Sequence, residues 1–175
     1  NVFHLSTTPL GLAIPIYTAT APTVALWNPS GSGKNAVLLR FGLAYASGTA
    51  ALASVGLMRE TGAGSAIATG AVFSAYADAV APTNGMIGAG AASVMKASAG
   101  GTNTLTSAGT ALRFFYTLAG INLEAATGTA HATVMTAHDF DGMVILPPST
   151  AVWIAATVAS VALYTQTLSW LEVPA

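Results

Sequence analysis

Val37, Leu39, Phe41, Leu43 and Tyr45 alternate with Ala36, Leu38, Arg40, Gly42 and Ala44 directly after the turn sequence NPSGSGKN. An apolar period of two belongs to a strand with one strongly apolar face. The stretch also invites a second reading, a phosphate-binding loop, which needs a glycine, four residues, then Gly-Lys-Ser/Thr leading into a helix. Here Gly33-Lys34 is followed by Asn35, the position five before Gly33 is Asn28, and the pattern that follows is a strand's. Both ends of the motif fail. The segment reads as a turn opening a strand, with glycines supplying backbone freedom and Lys34 as a solvated turn residue.

Similar short apolar segments recur along the chain. Strands are expected near residues 23–27, 36–46, 52–59, 66–76, 91–97, 110–118, 129–136, 143–146, 150–158 and 163–173. Between them stand turn signals such as SGTA, ETGAGS, APTNG, SAGGTN and DFDG. Many short, evenly spaced strands imply an all-β protein, an antiparallel sandwich or barrel. The alanine-rich stretch 66–81 also admits a helical turn or two. Pro9, Pro15 and Pro22 break residues 1–22 into short apolar pieces, which disfavours a continuous helix and suits an extended N-terminal arm or edge segment. The expected organisation is therefore an arm over 1–22 and one sandwich domain over 23–175, a size that buries a core without staples.

Charge narrows the function. Only 6% of the 175 residues are charged, against about 25% in ordinary soluble domains. A free monomer of this kind has little charge to keep its surface apart from its neighbours', so the composition predicts a surface covered by an oligomer, a larger assembly or a membrane. The five cations, Lys34, Arg40, Arg59, Lys96 and Arg113, never cluster, which predicts no nucleic-acid partner. With no cysteine, neither a disulfide framework nor a zinc–thiolate site is available. The start of the chain, at Asn1, lacks the basic-then-apolar order of a signal peptide.

The membrane alternative rests on Ser149–Leu171, uncharged over 23 residues and long enough to span. It is rich in Thr and Ser, contains Gln166 and follows Pro147-Pro148. Val152, Ile154, Ala156 and Val158 alternate with Trp153, Ala155 and Thr157, and Tyr164, Gln166, Leu168 and Trp170 with Thr165, Thr167, Ser169 and Leu171. Two strands of a hairpin fit this better than one helix, so no membrane partner is expected.

Chemistry-bearing residues are sparse. The cluster HDFDG, residues 138–142, places Asp139 and Asp141 two apart, where both carboxylates of an extended chain can face one hard cation. A calcium loop would add further oxygen ligands at alternating positions, and none follows; the competing reading is an Asp141-Gly142 turn with His138 and Asp139 on a solvated loop. No Gly-x-Ser-x-Gly elbow occurs, and GAGSA has the wrong spacing. His4, His131, Glu60, Asp78 and Glu124 are scattered, so no catalytic set, metal or cofactor is expected. Trp27, Phe41, Tyr45, Phe114, Tyr116, Trp153, Leu168 and Trp170 are the expected packing or interface residues, and RFFYTL, 113–118, is expected to be buried on both faces.

The segments LWNPSGSGKNAVLLRFGLAYASGTA, VILPPSTAVWIAA and the closing LSWLEVPA together resemble structural proteins of tailed bacteriophages, over residues 24–175. The resemblance implies a jelly-roll-like sandwich in the virion, a homotrimer that decorates the capsid, serves as a minor capsid protein or forms part of a tail or fibre, with the major capsid protein among its partners. It carries over no catalytic residue. The expectation is a non-enzymatic, self-associating virion protein. The alternatives are a lectin-like or adhesive module, a β-sandwich hydrolase or a membrane-associated assembly.

Overall fold

The computed structural model describes residues 1–49, 51, 53–61, 73–75, 82–86, 91–100, 104–105, 109–117 and 135–175. Among them lie β1 (Val2–Ser6), β2 (Val24–Asn28), β3 (Lys34–Ser47), β4 (Ser54–Thr61), β5 (Phe73–Ala75), β6 (Thr83–Asn84), β7 (Lys96–Ala99), β8 (Thr104–Leu105), β9 (Thr110–Thr117), β10 (Met135–Asp139), β11 (Ile145–Leu146), β12 (Thr150–Ala156) and β13 (Leu163–Pro174). The protein is all-β, with no helix among the described residues, and two antiparallel sheets pack face to face as a β-sandwich.

The first sheet runs β10-β3-β13-β1-β6, with β11 continuing the β10 side of β3; the second runs β7-β2-β12-β4-β9. Their inner faces share one core. Phe3 and Leu5 of β1, Phe41 and Leu43 of β3, Leu57 of β4, Ile154 of β12 and Leu168 and Trp170 of β13 are all buried there. A second, smaller cluster lies on the outer face of the second sheet, where Ala25, Met58, Ala151, Trp153 and Ala155 are buried with Leu105 of β8. Alternation in β12 therefore serves two apolar surfaces: Val152, Ile154 and Ala156 face the core, and Ala151, Trp153 and Ala155 face the outer cluster.

Three local findings depart from the sequence expectations. In β3, Phe41 and Leu43 are buried as the alternation predicts, but further back the buried residues are Ala36 and Leu38, not Val37 and Leu39. The register of β3 on β13 slips between Ser169↔Arg40 and Trp170↔Leu38, so Leu39 is the extra residue of a bulge that turns the following side chains over. Second, Ser149–Leu171 forms two strands, but β12 belongs to the second sheet and β13 to the first, so the chain crosses between sheets instead of closing a hairpin. No helix of the described residues is long and apolar enough to cross a membrane.

Third, the N-terminal stretch begins inside the sheet. Val2–Ser6 pairs with β13 on one side and β6 on the other, because Phe3 and Leu5 alternate into the core ahead of the first proline. Residues beyond it continue along the same sandwich through turns at Pro9-Leu10 and Tyr17-Thr18, with bridges Leu12↔Tyr164 and Ile16↔Ala156.

The NPSGSGKN segment is a turn, with Gly31 at φ 74° and Gly33 at φ 64°. Fully buried Asn28 holds it: its Nδ2 donates to the carbonyls of Lys34 and Leu146, each at 2.8 Å, and its Oδ1 accepts from Ser32 Oγ at 2.6 Å. This one amide ties the turn to β11, which explains why an asparagine stands at the end of an apolar strand.

Candidate functional site

The two sheets meet at one side through their edge strands, β9 of the second and β10–β11 of the first. The upper part of this seam is closed by stacking. Phe115 lies flat on His138, with ring centroids 4.8 Å apart and planes at 10°, and Phe140 meets both rings edge-on. Below the stack, towards β11, the seam opens into a cleft of about 440 Å³.

The chain builds this cleft from two irregularities. β9 pairs with β4 through two register slips that leave Phe115 and Leu112 as extra residues, so β9 swings away from a regular ladder. β11 is only two residues long and follows the turn at Asp141 (φ 51°) and Gly142 (φ 72°). The walls are apolar and open: Met143 is 64% and Ile145 56% exposed, with Leu112 across from them. Val152 and Leu146 line its buried side.

Two cations stand in this apolar setting. On β4, Val55 and Leu57 are core residues, and strict alternation puts Arg59 on the same inner face, opposite Val152 of β12. Arg113 pairs in register with Leu57 and lines the same cleft. Glu60, on the other face of β4, is nearly buried and also lines the cleft. Among the described residues the one ion pair is Arg40–Asp139, at 2.6 Å, so neither guanidinium in the cleft is held by a described carboxylate. Three of the chain's few charged side chains thus gather at one opening.

The residues singled out from sequence fall in different places. Asp139 is on β10, not on a loop, and accepts two hydrogen bonds from Arg40 of β3, which hold its carboxyl below the ordinary range. Asp141 sits in the turn. No group of three or more His, Asp or Glu side chains suited to a metal occurs among the described residues. His138 is on β10 too, half-buried in the aromatic stack. His131, Asp78 and Glu124 lie outside the described residues, as do most of the strands expected at 66–76 and 129–136. His4 Nδ1 stands 2.8 Å from Ser169 Oγ, but the pair is exposed on neighbouring strands.

Of the expected packing residues, Phe41, Leu168 and Trp170 are in the central core, and Tyr45 packs against it. Trp153 is buried in the outer cluster with Trp27 against it. Phe114 is 47% exposed, because the bulge turns Phe115 inward in its place; RFFYTL is therefore not buried on both faces. Of the Tyr116 side chain nothing is described.

His138 gives the seam a pH dependence of predictable sign. Burial, then Arg113, lowers its pKa from the ordinary 6.5, while Asp139 and Asp141 act the other way more weakly. The fold thus favours neutral imidazole, and the unfolded chain takes the proton first as pH falls. Stability should drop as pH falls below about 6.5 and before the Asp139 carboxylate titrates. Melting temperatures followed from pH 7.5 to 5 should decline for the native chain and stay flatter for His138→Gln.

No family model, curated protein or solved structure matches the chain. What the molecule can do is therefore read from its own geometry: an open, apolar, doubly cationic cleft between two strand edges, with no described nucleophile–base pair beside it.

Proposed function

We propose that the chain is a non-enzymatic structural subunit that works by self-association within a larger particle, as a homotrimeric component of a virion. The observation that carries the reading is the surface. Leu10 and Val161 are 79% and 74% exposed at the end of the sandwich where β12 turns into β13, and Met143 and Ile145 stand out at the opposite end. The chain offers only 11 Lys, Arg, Asp and Glu side chains (5 + 6) among 175 residues to offset them. Burial of such surface gains about 25 cal/mol per Å² before the cost of association.

We read the sandwich as a jelly roll. Its support is the nested pairing of β1 with β13, β2 with β12, β3 with β10 and β4 with β9, alternating between the two sheets. Two interleaved antiparallel Greek keys give this order, and capsid domains are among the proteins that use it. β5 to β8 then form an insertion between the fourth and fifth strands of the roll. The particle setting itself, whether capsid decoration, minor capsid or tail and fibre, rests on the resemblance of the NPSGSGKN, VILPPS and LSWLEVPA segments to phage structural proteins.

The assembly reading has a direct test in salt. Apolar contacts are not screened, so the elution volume of the purified chain in size-exclusion chromatography should correspond to an oligomer both in 0.1 M salt, where the Debye length is roughly 10 Å, and in 1 M salt, where it is roughly 3 Å. An oligomer that falls apart at the higher salt would contradict the apolar basis of the contact.

A further inference from the structure

We infer that the cleft between β9 and β11 is a docking site for an extended segment of a partner polypeptide that carries an acidic side chain flanked by apolar ones. The inference rests on the assembly reading and names the chemistry of one of its contacts.

Charge complementarity is the first argument. Arg59 occupies a core-facing register position at the mouth of the sandwich, where the residues before it on the same face, Val55 and Leu57, are buried and apolar. Arg113, in register with Leu57, brings a second guanidinium to the same opening. Neither pairs with a described carboxylate, and both stand exposed beside the apolar Leu112, Met143 and Ile145 that line the same cleft. A carboxylate brought between two forked donors in such a setting makes charge-assisted hydrogen bonds, while its apolar neighbours cover the exposed Met143 and Ile145. Glu60, nearly buried and also lining the cleft, disfavours a second acidic residue beside the first, so one acid among apolar residues fits better than an acidic run.

Backbone geometry decides for a polypeptide over a free acid. The cleft is bordered by two strands that each pair on one side only among the described residues, β9 with β4 and β11 with β3. These sides, unpaired among the described residues, offer main-chain donors and acceptors to an added strand, and alternate side chains of that strand then reach the cleft.

The test is fluorescence anisotropy with a labelled, end-blocked pentapeptide Val-Leu-Glu-Val-Leu, and with versions carrying Gln or Lys in place of Glu. The Glu peptide should bind, at least about tenfold tighter than the Gln peptide, and the Lys peptide weakest. Arg59→Gln and Arg113→Gln should each weaken the Glu peptide and leave the Gln peptide unchanged. Ile145→Asp should remove binding, whereas Leu10→Asp, at the other end of the sandwich, should not; circular dichroism of each variant checks that the fold is intact. Equal binding of the three peptides, or none up to about 1 mM, would overturn the inference. So would tight binding of octanoate with no peptide binding, which assigns the cleft to a free acid, or loss of oligomers in Ile145→Asp with no peptide binding, which assigns it to a second copy of this chain. Chromatography of the unliganded protein decides the assembly reading separately, so oligomers without peptide binding count against the cleft alone.

Discussion

Replacing Trp170 by alanine should cost the fold about 3–5 kcal/mol, the largest loss expected from a single side chain here. Trp170 is fully buried on β13, the strand that holds β3 on one side and β1 on the other. Its ring stacks on Phe3 at 6.1 Å, so the truncation empties the core where the N-terminal strand is attached. The cavity cannot be filled from Phe3 without moving β1, whose register is set by five residue pairs with β13. In urea, the midpoint should fall sharply with the slope unchanged, and Trp170→Phe should lose much less. Near-native stability of Trp170→Ala would mean that β1 and β13 do not form the shared core described above.

Gly11→Ala should cost about 2–4 kcal/mol, for two reasons that can be separated. Gly11 has φ 72°, where an L side chain is strained, and a β-carbon there would stand 2.8–2.9 Å from the backbone atoms of Tyr164. Tyr164 is fully buried on β13 and exchanges main-chain hydrogen bonds with Leu12 at 2.8 and 3.0 Å, so neither side can retreat without breaking that bridge. Gly31 is the internal control: its φ is 74°, but nothing lies within 4 Å of the β-carbon site. Gly31→Ala therefore carries the backbone cost alone, about 1–2 kcal/mol. Equal losses in the two variants, read from chemical denaturation, would show that residues 7–12 do not pack on β13 as closely as described.

These two positions also mark what can be read from the chain before its fold is known. Alternation in Tyr164, Gln166, Leu168 and Trp170 names the buried face of β13 correctly, because the strand is paired on both sides and has one core to face. Alternation fails in β3 at Leu39, since a single inserted residue reverses the faces and leaves no trace in the hydrophobic pattern itself. In β9 the same device exposes Phe114 and turns Phe115 inward, so a run of aromatics conveys apolarity but not direction. The prolines that define residues 1–22 as non-helical also obscured β1, a five-residue strand lying wholly before the first of them. Asp139 and Asp141 looked like a pair because they are close in sequence, yet β10 commits Asp139 to Arg40 on the neighbouring strand. The cleft was invisible for the opposite reason. Arg59 and Arg113 are far apart along the chain, and only the pairing of β4 with β9 brings them to one opening.

The low charge, by contrast, was legible from composition alone, and the proposed assembly follows from it: other subunits would cover the exposed apolar side chains at the two ends of this sandwich. Sedimentation velocity of the purified chain at micromolar concentration tests that claim most directly. A self-associating subunit should give a dominant species whose mass is a whole multiple of 17.4 kDa, three for the proposed homotrimer. A single species of 17.4 kDa, stable and unaggregated across the concentration range, would contradict it.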